Sequence, residues 1–315
     1  MGFIEKRQRY HDIVRYWFKL WFAGQANPET VEELQKVMLE DENKQWAKMG
    51  FNIMSSKTDC PQKCRYCYVL AWKLRLDKEN FTLPDYEKIR DIEDLEQSRE
   101  EFVLDEKRAL PNWTARRKPR LYIFASTHDI FPEMVDAYIR KARNMLETGS
   151  EILIVTKPRL ECIKAICEGL ADLKDKVMLI CTITSDKEEV LRYWEPFAPS
   201  YEERKESLIY AYQQGFRTSV SMEPYLSDPR PVIADVRKYV TNAIWLGRMN
   251  HCRQLEFEKE QYEKLDDLYT SEYIRQLILD LWEDEKVYFK YSMMRAVGLT
   301  GKRRPKGEKR AVEVE

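Results

Sequence analysis

The apolar positions of this chain alternate between two patterns. Unbroken apolar runs, such as Ile152-Leu153-Ile154-Val155 and Val177-Met178-Leu179-Ile180, are separated by longer stretches with helical periodicity. An unbroken run suits a strand buried on both faces, and a parallel sheet covered by helices buries strands in that way. The runs at 151–156 and 177–183 are joined by shorter strand-like segments at 50–54, 120–125, 218–222, 243–246 and 287–290, which makes seven predicted strands. The expected fold class is therefore α/β, a partial or complete β/α barrel.

Two helices are predicted before the first strand. One covers 5–24 and is rich in aromatic and basic residues; the other covers about 30–48, after Asn27-Pro28. Ser200 is a helix start, its hydroxyl capping and Glu203 reaching back. Residues 78–118 interrupt the alternation with acidic charge (Asp91, Glu93, Asp94, Glu96) and read as an insertion. The chain divides into an N-terminal helical extension (1–48), a barrel (49–298) and a basic tail (299–315).

Length and charge narrow the class. A chain of 315 residues with 43% hydrophobic content can bury a large core as one catalytic domain with extensions. Lys+Arg 53 against Asp+Glu 54 leaves a formal net charge of -1, so nothing global calls for a polyanionic partner. No apolar run approaches the roughly 18–20 residues of a membrane span, and the charged N-terminus lacks a secretion signal. The expected location is cytoplasmic, with no membrane.

The cysteines change the picture most. Cys60, Cys64 and Cys67 stand in the spacing C-x3-C-x2-C; Cys162, Cys167, Cys181 and Cys252 have no ligand spacing and read as small buried residues. Three thiolates on one short loop can hold three corners of a cubic 4Fe-4S cluster and leave the fourth iron open. A zinc site needs a fourth ligand, and none of the three histidines, His11, His128 and His251, is near the loop in sequence. Zinc and a disulfide stay open as alternatives.

In α/β folds the chemistry gathers where strands end. Those ends carry Ser126-Thr127-His128-Asp129, Thr156-Lys157, Thr184-Ser185-Asp186 and Met222-Glu223-Pro224. Arg248, Asn250 and His251 follow the sixth strand, where His251 is a general acid/base candidate or a surface histidine.

The cysteine spacing, with Tyr66 inside its last gap, resembles the loop of the radical S-adenosylmethionine (SAM) enzymes. That resemblance implies a partial (β/α)6-type radical SAM barrel, a 4Fe-4S cluster on Cys60, Cys64 and Cys67, and SAM on the open iron. It also implies reductive cleavage to a 5′-deoxyadenosyl radical that abstracts hydrogen from a substrate, and an electron donor such as flavodoxin or ferredoxin. Further phrases, Thr156-Lys157, Thr184-Ser185-Asp186, Trp194-Glu195-Pro196-Phe197-Ala198-Pro199 with Glu203-Arg204, and Tyr288-Phe289-Lys290, look like the spore photoproduct lyase branch. By that likeness Ser126, Lys157 and Ser185 hold SAM, with Asp129 and Glu223 as further contacts. Tyr66 and Tyr68 match tyrosines that the lyase places by its cluster and radical pathway. Phe124 departs from the branch, which keeps a hydrogen-donating cysteine there; thiol donation from this position is lost.

The branch makes nucleic acid a possible substrate, through a lyase or repair activity. The aromatic, basic helix at 5–24 fits base stacking or, alternatively, a packing face, and the basic tail at 302–310 fits phosphate contacts or a solvated terminus. A non-catalytic zinc-binding module for nucleic acid is the reading from another class.

Overall fold

The strand β3 (Glu151–Thr156) and its neighbour β4 (Val177–Thr182) form the centre of a sheet that the chain builds in order. A computed structural model describes residues 1–41, 49–52, 60–67, 69, 119–249 and 259–300. Around the central pair lie β1 (Met49–Phe51), β2 (Leu121–Phe124), β5 (Arg217–Met222), β6 (Ile244–Leu246) and β7 (Val287–Phe289), and every neighbouring pair is parallel. Spatial order equals chain order, β1 to β7. Among the described residues β1 and β7 are the two edges, so the barrel is partial. It carries one strand more than a (β/α)6 unit, with Ile244 opposite Val287 in the added pair. Tyr68, Asn250, His251, Cys252, the charged segment 78–118 and the tail from residue 301 onward lie outside the described residues.

The helices are α1 (Phe3–Phe22), α2 (Pro28–Asp41), α3 (Val135–Glu147), α4 (Leu160–Gly169), α5 (Glu188–Trp194), α6 (Tyr201–Gln213), α7 (Arg230–Val236), α8 (Lys259–Leu268), α9 (Ser271–Asp280) and α10 (Tyr291–Ala296). The two-residue period of a strand sorts the apolar runs between faces. Ile152, Ile154, Leu179 and Cys181 are buried among residues of the helix layer. Leu153, Met178 and Ile180 close instead on Ile4 of α1. Both faces are thus dry, as the unbroken runs predict.

Helix α1 closes the sheet at the N-terminal ends of its strands. Its first turn is capped from a distance: the Glu151 carboxylate accepts the N–H groups of Phe3 (2.8 Å) and Ile4 (2.7 Å). Those are orphan donors of a helix N-terminus, where negative charge is also favoured. Further along, Arg15 donates to the carbonyl oxygens of Val287 (3.0 Å) and Asp284 (2.5 Å), and Phe18 packs edge-on against Phe289. Trp17, Trp21 and Phe22 pack on the same core cluster. Most of the aromatic stripe is therefore a packing face, with Tyr16 left exposed, which weakens its reading as a base-stacking surface.

Local differences from the sequence reading have tertiary causes. α1 starts at Phe3 rather than residue 5 because Glu151, remote in sequence, supplies its cap. Ser200 caps α6 as expected, accepting the Glu203 N–H (3.2 Å). The Glu203 carboxylate, however, accepts the N–H of Leu160 (3.1 Å) at the start of α4. The predicted return contact from Glu203 to Ser200 gives way to a cap on another helix. Cys162, Cys167 and Cys181 are buried free thiols, each pushed up to about 12 chiefly by burial. Phe124 is fully buried on the helix side, stacked on Tyr138 with ring centroids 4.0 Å apart. Among the described residues no helix is long and apolar enough to cross a membrane.

Candidate functional site

The cysteine loop follows β1, at the end of the sheet opposite α1. From Cys60 to Cys67 it makes two tight turns, closed by Lys63 N–H to Cys60 C=O (3.1 Å) and by Cys67 N–H to Cys64 C=O (3.0 Å). Pro61 takes the second position of the first turn, where its fixed φ suits the bend. Lys63 adopts a left-handed φ of 45°. Arg65 ties the loop to the end of α5: its N–H meets the Trp194 carbonyl (2.9 Å) and its Nε the Tyr193 carbonyl (2.7 Å). The guanidinium also lies 4.6 Å over the Tyr193 ring.

The environment of the thiols is mixed. Burial pushes Cys60 up to about 12, the Asp129 charge adds to this, and backbone N–H groups of Asp129 and Gln62 on its sulfur pull the other way. Cys64, buried, is raised well above its ordinary value by burial, with Lys157 opposing. Metal binding at these thiols would therefore release protons. Three thiols on one loop, with N–H donors on the first and a lysine charge near the second, form a donor set suited to thiolate ligation of a cluster. Among the described residues no three His, Cys, Asp or Glu side chains converge tightly enough to hold a single metal ion.

Around the loop stands a buried network of paired charges. The Tyr66 hydroxyl donates to the Glu195 carboxylate, which also accepts from Thr184 Oγ1 (3.1 Å). Glu195 is paired with Arg204 at 2.5 Å, both side chains wholly inaccessible to solvent. Arg204 Nε donates to the Pro199 carbonyl (2.7 Å). Burial would pull the Arg204 guanidinium down, but Glu195 outweighs it and holds the group above its usual value. The Tyr66 phenol is raised well above its usual range by burial and then by Glu195. It is therefore a neutral hydrogen-bond donor.

Lys157 and Asp129 form the second pair. The ammonium is 3.5 Å from Asp129 Oδ2 and 5.7 Å from the Tyr66 ring centre. Asp129 Oδ1 also accepts from Thr156 Oγ1 (2.9 Å) and from the Lys157 N–H (2.5 Å). Burial works against the Lys157 charge; Asp129, then Cys64, Tyr66 and Glu195, outweigh it and hold the group well above its usual value. The structure thus brings Cys60, Cys64, Tyr66, Asp129 and Lys157 into one neighbourhood.

Other predicted residues occupy the same end with different partners. Ser126 Oγ accepts from Asn52 Nδ2 (2.9 Å), and Asn52 Oδ1 accepts the N–H groups of Ser126 (2.7 Å) and Thr127 (2.9 Å). Gly50 permits this approach, since a Cβ there would lie 2.5 Å from that hydroxyl. Ser185 is fully buried; its hydroxyl bonds Ser227 Oγ (2.7 Å) and accepts the Lys187 N–H (3.0 Å). Glu223 pairs with Lys290 at 3.0 Å across the ends of β5 and β7. Gly247 makes room for that carboxylate, as a Cβ would come within 2.8 Å of it. The Lys290 ammonium is held below its usual value by burial, against the pull of Glu223.

Sequence reasoning missed Asn52, Glu195, Arg204 and Lys290 as parts of this site. Asn52 had a usable signal, being the polar residue at the end of the first strand. Glu195, Arg204 and Lys290 stood inside the quoted phrases, but only the tertiary structure gives them roles.

No family's sequence profile matches the chain, and no curated protein does. Among solved structures, Streptococcus suis SuiB bound to S-adenosylmethionine matches with a TM-score of 0.42 and 11% identity, over 83% of this chain and 55% of that one. SuiB bound to precursor peptide SuiA matches with a TM-score of 0.44 and 12% identity, over 86% and 56%. This chain spans just over half the length of that protein, and similarity at this level is too low to carry a function across.

Proposed function

We propose that this chain is a radical SAM enzyme acting on a C–H bond of a bound substrate. The observation that carries the reading is the Cys60–Cys64–Cys67 loop, with Tyr66 in its last gap, at the C-terminal end of the first strand of a parallel α/β sheet. A 4Fe-4S cluster held by Cys60, Cys64 and Cys67 would supply the electron for reductive cleavage of SAM to a 5′-deoxyadenosyl radical.

The chain's own residues bind, orient and exclude water. Cys60, Cys64 and Cys67 are the ligands for the cluster, and the N–H groups on Cys60 favour its thiolate. Lys157 is a permanent ammonium suited to the SAM carboxylate, and Asp129 beside it is an acceptor for an amino group. Ser126, turned by Asn52, and Ser185, held by Ser227, are the hydroxyl contacts in this reading, with Glu223 a further acceptor. Tyr66 acts through Glu195, holding the segment between the last two cysteines against the sheet.

Anaerobic reconstitution with iron and sulfide tests this. The expected result is a brown protein that forms 5′-deoxyadenosine from SAM and dithionite, with both properties lost in Cys64→Ala. Stoichiometric zinc without iron or sulfide after anaerobic purification would overturn the proposal.

A further inference from the structure

Gln62 stands between the first two cysteines, at the third position of the turn that Lys63 N–H closes onto Cys60 C=O (3.1 Å). Its side chain is wholly buried, and neither its amide oxygen nor its amide nitrogen has a hydrogen-bond partner among the described residues. Three other buried side chains of the same mouth are satisfied: Thr184 by Glu195, Ser185 by Ser227, Thr156 by Asp129. A buried primary amide unpaired at both ends is unfavourable enough to ask what it meets when the site is filled.

Position supplies the answer. Gln62 is two places from each of Cys60 and Cys64, inside the turn that starts at Cys60. A side chain of two methylenes and an amide, rooted there, stays within reach of whatever those two thiolates bind. The buried Nε2 of His128 is also unpartnered, but its Nδ1 faces the Asp129 carbonyl at 2.8 Å. Nδ1 then carries the proton, so Nε2 is an acceptor with nothing to give a sulfur atom.

Resting on the radical SAM reading, we infer that the Gln62 amide nitrogen donates a hydrogen bond to a sulfur of the cluster beside Cys60 and so raises the cluster's reduction potential. The reduced cluster carries one more negative charge than the oxidised one. A donor aimed at its sulfur stabilises the reduced form more, and hydrogen bonds to sulfur are among the factors that set such potentials.

The test uses the full chain with Gln62→Met, which keeps the length and removes the N–H group. Gln62→Asn, which withdraws the amide by one methylene, is the second variant. Two measurements are read: the thermal midpoint of the cluster-free chain, and the potential of the reconstituted chain by EPR-monitored redox titration. Expected are a cluster-free midpoint for Gln62→Met at or above that of the wild type, and a potential shifted negative in both variants. An unchanged potential in variants that load normally overturns the inference and leaves the radical SAM reading standing. A wild-type chain that takes up no iron and sulfide overturns both.

Discussion

The two ends of this sheet are closed in opposite ways. At the N-terminal ends of the strands, α1 lays Ile4 on Leu153, Met178 and Ile180, and one carboxylate, Glu151, caps its first turn. At the C-terminal ends, three ion pairs line the mouth: Asp129–Lys157, Glu195–Arg204 and Glu223–Lys290. Apolar burial is the cheaper way to close a sheet, because a buried ion pair is often no better than a hydrophobic replacement of the same shape. The end that departs from the cheaper solution is also the end that carries the cysteine loop. Charge is thus concentrated at the end to which the proposed function assigns the site.

The largest test of that contrast is Glu195→Ala. It leaves Arg204 charged in a fully buried position, and removing one partner of such a pair costs about 3–5 kcal/mol. Denaturant unfolding of the variant should show that loss. The double replacement Glu195→Leu with Arg204→Met should recover most of the stability while lowering iron uptake, since the Tyr66 hydroxyl loses its acceptor. A single variant as stable as the wild type would erase the distinction between the ends.

A smaller effect is expected at the opposite end. Glu151→Ala removes the cap from α1 and should cost about 0.5–2 kcal/mol, with iron uptake unchanged. A fall in uptake would mean that the ends are coupled and that α1 does more than close the sheet.

The smallest concerns acid. Burial pushes the Asp284 carboxyl up, but Arg237 at 2.7 Å and the Lys286 N–H at 2.9 Å outweigh it, so the net shift is downward. A carboxyl held below its unfolded value adds stability above that value and loses it as pH falls through the folded one. Asp284→Asn should therefore melt below the wild type at neutral pH, and the gap should close in acid. A gap that stays constant with pH would assign the effect to shape rather than charge.

All seven strands are legible in the sequence, most plainly β3 and β4, where burial on both faces leaves an unbroken apolar run; β5 instead mixes buried Thr and Ser with Val and Met. The strand-end rule also led to Asp129 and Lys157, which the structure pairs. It was less informative for Ser185, whose hydroxyl is engaged by Ser227, a residue with no local signal. Glu203 shows the limit at a helix start: its spacing from Ser200 fits a local cap, yet its carboxylate serves Leu160 across a helix interface.

By itself the sequence determined the alternation of strands and helices, the α/β class and the three-cysteine spacing. These are written within a few residues of one another, in apolar periodicity and ligand intervals. Only the tertiary structure decided that α1 caps the sheet, that Glu195 and Arg204 pair in the dark, and that Tyr66 reaches Glu195, 129 residues away. Such partners are set by which strand ends stand side by side, and no local pattern carries that distance.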